Sequence, residues 1–90
     1  MKIIVGKKYK VKSWEKMERQ YGLTRYGYID TPACFVSEMK KFCGKVVTIT
    51  KNFPWYRIEE DKGRFAWDEC MLEPFENSIE YYIEKRKSNG

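Results

Sequence analysis

A small, mainly β domain with some α is what this sequence predicts, and three features predict it. Short stretches such as "KKYKVKSW" and "KVVTIT" alternate apolar with polar residues, the mark of a strand buried on one face. Longer stretches switch to helical spacing. The chain, at 90 residues with 17% aromatics, is long enough for one core and no more, with large rings to fill it.

The elements follow in order. In "KKYKVKSW" Tyr9 and Val11 fall on one face and Lys8, Lys10 and Lys12 on the other. Ser13 caps a short helix in which Trp14, Met17 and Tyr21 recur at helical spacing, and Gly22 ends it. Trp14 is expected in the core. "LTRYGYIDTPAC" is a loop, with Tyr26 and Tyr28 facing outward. A second short helix follows, capped by Ser37 or begun earlier by Thr31 and Pro32, with Gly44 at its end. "KVVTIT" is a strand with Val47 and Ile49 inward; "WYRIE" is the next, with Tyr56 and Ile58 inward. Trp55, Arg57 and Glu59 then point the other way. "EDKG" is a turn, "RFAW" a strand with Phe65 and Trp67 inward, and Met71–Leu72 a last extended piece. Ile79, Tyr82, Ile83 and Arg86 mark a C-terminal helix. The sequence therefore divides into residues 1–74, a partly closed small barrel with a helical insertion after its first strand, and residues 75–90, a C-terminal helix and tail.

Charge is distributed unevenly. Residues 1–57 carry 13 bases against 4 acids, and residues 58–90 carry 5 bases against 9 acids. A positive field over the first part favours an anionic partner or serves solubility alone. There is no His, the three cysteines (Cys34, Cys43, Cys70) are odd in number, and no pair has CxxC spacing, which argues against a zinc site. No stretch has the length and apolarity of a membrane span, so a cytoplasmic location with reduced thiols and no membrane partner is expected.

The string "GKKYKVKSWEKMERQYG", then "FVSEMKKFCGKVVTIT", then "YRIEED" and "AWDECMLEP" resembles a group of short accessory proteins from phages and mobile elements of Gram-positive bacteria. Val11, Ser13, Trp14, Met17, Glu38, Met39, Cys43, Gly44, Thr48, Ile49, Trp67, Met71 and Glu73 carry the resemblance. It covers roughly residues 6–74 and implies an SH3-like barrel in a phage setting, hence a host-cell cytoplasm. The aromatic insert "NFPWY", the tyrosines of "TRYGYID" and the C-terminal helix depart from the shared pattern.

Catalysis is poorly provided for. Without His, a nucleophile would need another activator. Cys43 has Lys40, Lys41 and Lys45 near it in sequence, which would lower its pKa if they were close in space. The acidic runs at residues 59–61 and 68–69 read as solvated turns, with Glu60 and Asp61 as a weak option for a divalent ion. No enzyme activity and no cofactor are expected.

Binding is better served. Aromatic rings stack bases, and Arg or Lys meets phosphates. Trp55 and Arg57 on one strand face, Arg64 across the sheet, and Arg25 and Tyr28 from the loop form the expected ligand-binding set, with Lys51 just before the same turn. Trp55 has a structural alternative, closing an open barrel end or packing on the C-terminal helix. The expected partner is an anionic nucleotide-type defence signal or a host defence protein. A nucleic-acid module and a protein–protein module are the alternatives. A closed pocket in so short a chain would call for a second copy, a homo-oligomer.

Overall fold

The computed structural model describes residues 2–75, and the expected C-terminal helix lies outside them. Four antiparallel strands form one sheet in the order β3-β2-β1-β4: β1 (Lys8–Val11), β2 (Val46–Lys51), β3 (Arg57–Ile58) and β4 (Leu72–Pro74). Between β1 and β2 the chain makes helix α1 (Trp14–Tyr21) and a 3-10 helix, Ser37–Phe42; a 3-10 turn, Glu69–Met71, precedes β4. The architecture is mixed α/β.

β1 is the pivot. It pairs with β2 through Lys8↔Thr48 and Lys10↔Val46, and with β4 through Lys10↔Glu73 and Val11↔Leu72. The alternation predicts which face is buried: Tyr9, Val11, Val47, Ile49, Ile58 and Leu72 are all within 2% of full burial. Burying side chains of this size is worth ~1.5–3 kcal/mol each, which is why the register cannot slip.

α1 begins where the sequence says. Ser13 Oγ accepts from the Lys16 N–H at 3.2 Å. Gly22 stops the helix at φ 75°, a backbone region that a side chain disfavours, while its N–H donates to the Glu18 carbonyl. Met17 is fully buried, and Trp14 is half-buried, its ring 6.0 Å from that of Phe35. The second helix differs from expectation. It is 3-10 rather than α, its N-cap is Val36, and no side chain caps it; Thr31 and Pro32 form a separate turn. Three residues per turn places Met39 directly above Phe42, and both are buried.

One expectation is met in part and another fails. The described residues form a four-stranded antiparallel sheet that does not close into a barrel, since its edge strand β3 pairs with β2 and no other named strand. "RFAW" is not a strand: a single bridge, Tyr56↔Trp67, is all that pairs there. Tyr56 and Phe65 are accordingly half-buried at the core's margin, whereas Trp67 sits in its centre. Phe35 and Phe42 meet the Trp67 ring edge-on at 5.9 and 5.8 Å. Ile29, from the stretch expected to be loop, and Phe35, just after it, are wholly buried and bridge each other.

Candidate functional site

The two acidic turns are structural. Asp61 accepts four hydrogen bonds: from the N–H groups of Gly63 (2.8 Å), Arg64 (3.2 Å) and Phe65 (3.1 Å), and from Trp67 Nε1 (2.9 Å). Glu60 accepts from the Thr48 N–H at 2.8 Å, standing in for a ladder partner that the short β3 does not supply. Asp68, expected in a solvated turn, is 6% exposed and ties Ala33 N–H to Cys70 N–H at 2.8 Å each. Burial of so small an acid is tolerable because both oxygens are bonded. These carboxylates are engaged by backbone, and among the described residues no three His, Cys, Asp or Glu side chains gather as metal ligands.

The thiols follow burial. For Cys43, burial outweighs the lysines near it in sequence: it pushes the thiol above the ordinary range, against the smaller pull of a Trp14 backbone hydrogen bond and of Lys40. Burial also raises Cys34. A raised thiol is a poor nucleophile at neutral pH.

Two concavities stand out among the described residues. One, about 370 Å³, is lined by Lys12, Lys16, Tyr21, Cys70 and Glu73 among others. Its cations are occupied: Lys16 Nζ meets Glu73 at 2.7 Å, and Lys12 Nζ donates to Gln20 Oε1 and Tyr21 OH, both at 3.2 Å. Burial and Lys16 push Lys12 down, and burial pushes Tyr21 up.

The other concavity, an open cleft of roughly 600 Å³, lies where β2 and β3 end, between Thr50, Lys51, Arg57, Glu59 and Lys62. Lys51 and Arg57 face each other in register beyond a shift in the pairing after Ile49. The loop joining them carries two exposed rings, Phe53 at 79% and Trp55 at 37%, through a cis Phe53–Pro54 peptide. Contiguous exposed apolar surface is the kind that marks a contact site, and these two rings are two residues apart on one loop. Among the described residues no carboxylate pairs with Lys51, Arg57 or Lys62.

The structure thus brings Arg57 and Lys51 together at the cleft, with Trp55 exposed on the loop that joins them. It does not join the other three expected site residues to them. Arg64 is held by Glu38 at 3.0 Å and lies over the Phe65 ring at 5.0 Å. Arg25 stacks over Tyr26, and Tyr28 is half-buried with its N–H on Thr24 Oγ1. Among the described residues no hydrogen bond or ring contact links that loop to the cleft. Phe53 and Lys62 were missed. Phe53 was legible as an apolar residue beside a proline in a turn; Lys62 enters only because the 59–65 turn folds back on β3.

No family model, curated protein or solved structure matches this chain.

Proposed function

We propose that this protein is a non-enzymatic binder of an anionic, base-bearing ligand, held at the cleft at the end of β2 and β3. One observation carries the reading: Lys51, Arg57 and Lys62 line the cleft with no carboxylate ion pair among the described residues, and the loop that joins Lys51 to Arg57 carries the exposed rings of Phe53 and Trp55. A ring face takes the base, and a guanidinium forks onto the phosphate. The accessory role that the sequence resemblance implies, sequestering a nucleotide-type defence signal or blocking a host defence protein, belongs to the same proposal, as does the SH3-like reading of the fold. The adjacency of the first and last described strands, β1 and β4, supports the latter.

A thermal-shift screen against nucleotides, cyclic nucleotides and short oligonucleotides tests the proposal, since a ligand of the native state raises the Tm. A dose-dependent rise that is lost in Trp55→Ala and Arg57→Ala is expected. A rise that survives in both variants would place the site elsewhere, and no rise with any compound would leave the protein-blocking role.

A further inference from the structure

The cleft continues into a second basic surface, and we infer that the ligand is a single-stranded nucleic acid that runs from the cleft across the solvent face of the sheet along Lys8 and Lys10. This rests on the cleft reading and names its ligand class.

Continuity is the first argument. Thr50 and Lys51 line the cleft, and Thr48, on the same strand before the shift in pairing, lies between the inward-facing Val47 and Ile49 and so faces outward. Lys8 stands opposite Thr48 in register and its Nζ donates to Thr48 Oγ1 at 3.2 Å. Lys10, two residues on, shares that face, and both lysines are exposed. The cations therefore form a row rather than a ring: Lys62, Arg57 and Lys51 at the cleft, then Lys8, then Lys10. A row suits a chain of phosphates; an isolated nucleotide would use one end of it.

Spacing is the second argument. Residues two apart on a strand are ~6.4–6.8 Å apart along its axis, comparable with the phosphate step of a stretched single strand. The third argument is the rings. Phe53 and Trp55 present faces to solvent, and a base stacks on them only if its own face is free, as in a single strand and not in a duplex.

Three carboxylates border the row. Glu59 lines the cleft itself, with Arg57 and Lys62. Glu73, opposite Lys10, is neutralised by Lys16 at 2.7 Å. Glu60 is bonded to Thr48 through its N–H and its hydroxyl, and it lies on the path. It should repel a passing phosphate, so its removal has a predictable sign.

Fluorescence anisotropy of the whole chain with 5′-labelled thymidine oligomers tests this. The probes are a dinucleotide, an octamer and a sixteen-base-pair duplex. The octamer should bind at least about ten-fold tighter than the dinucleotide and tighter than the duplex. In the double variant Lys8→Ala/Lys10→Ala, octamer affinity should fall about ten-fold and its logarithmic salt slope should shrink by about 1.4, two contacts at 0.7 each. The dinucleotide, too short to reach either lysine, reports the cleft alone. Glu60→Gln, which keeps an oxygen for the Thr48 N–H, should tighten the octamer about two- to three-fold by removing one repulsive charge. Equal affinity for dinucleotide and octamer, or an unaltered slope in the double variant, would overturn the strand path while leaving the cleft reading standing. A duplex that binds as well as the octamer would overturn the single-strand assignment. No binding of any probe would overturn both.

Discussion

Two connections leave the ends of the two-residue strand β3, and they treat their polar and aromatic groups in opposite ways. The turn after it, residues 59–65, folds its groups inward. Asp61 gathers three backbone N–H groups and the indole N–H of Trp67, and Arg64 closes over Phe65. The loop before it, residues 52–55, turns its groups outward. Among the described residues it makes no hydrogen bond, and Phe53 and Trp55 face solvent. Each connection is short, each carries aromatic rings, and each is flanked by bases. The difference teaches that ring and charge content does not distinguish a binding loop from a structural turn; what does is whether the donors and rings find partners within the fold.

Ile58 belongs to both connections, since it is the buried residue from which each leaves. Ile58→Ala should have the largest effect of any change here, about 2–5 kcal/mol of stability, through lost burial and the cavity left behind. Chemical denaturation measures it, and a loss below 1 kcal/mol would mean that the sheet closes over the gap and that β3 is not the hinge of the comparison.

Asp61→Ala should come next, at about 3 kcal/mol. The three backbone donors are within reach of water once freed, but Trp67 is fully buried and its Nε1 would lose its partner, which by itself costs ~1–3 kcal/mol. Asp61→Asn should fall between wild type and alanine, because an amide offers one accepting oxygen in place of two. Equal stability of Asp61→Ala and wild type would show that the turn is no more built than the loop opposite.

The sequence showed the strands and the first helix well, for a physical reason. β1 and β2 are buried on one side only, so alternation marks Tyr9, Val11, Val47 and Ile49 without ambiguity. Ser13 and Gly22 act through local backbone geometry, which sequence reports directly. It showed the core's remainder badly. Ile29 stands between turn residues and Phe35 in a short apolar run with no alternation, and their burial goes with two single bridges that no periodicity announces. Asp68 looks like any turn acid until Ala33, distant in sequence, donates to it. The candidate site was half legible for the same reason. Trp55 and Arg57 are neighbours along the chain, whereas Arg64 was assigned by a strand phase that "RFAW" does not keep, so it meets Glu38 instead.

The third test moves to the outward loop. Arg57→Ala and Trp55→Ala should each weaken binding of a nucleotide or short oligomer by about 1.5–3 kcal/mol, one through a lost charged hydrogen bond and the other through lost stacking. Neither should shift stability as the Asp61 variants do. Calorimetric titration and thermal melting on the same samples separate the two effects. A melting loss comparable with that of Asp61→Ala, with affinity intact, would make the loop a structural element like the turn and end the comparison.

The smallest expected effect is the sharpest probe of the loop. Phe53 is the most exposed large hydrophobic residue described, at 79%, so Phe53→Ser removes little buried area and should change stability by less than about 0.5 kcal/mol. Its ring, two residues from Trp55, either forms a second stacking platform or is left idle. As a platform it should contribute about 1 kcal/mol to an octamer, the low end of base stacking because so exposed a ring has no neighbour to hold its rotamer. It should contribute nothing measurable to a mononucleotide, whose single base takes the less exposed and better supported Trp55. Titrating both ligands into Phe53→Ser resolves this. A loss confined to the longer ligand would show two bases seated side by side on the loop. An equal loss for both would make Phe53 the primary ring and Trp55 its support.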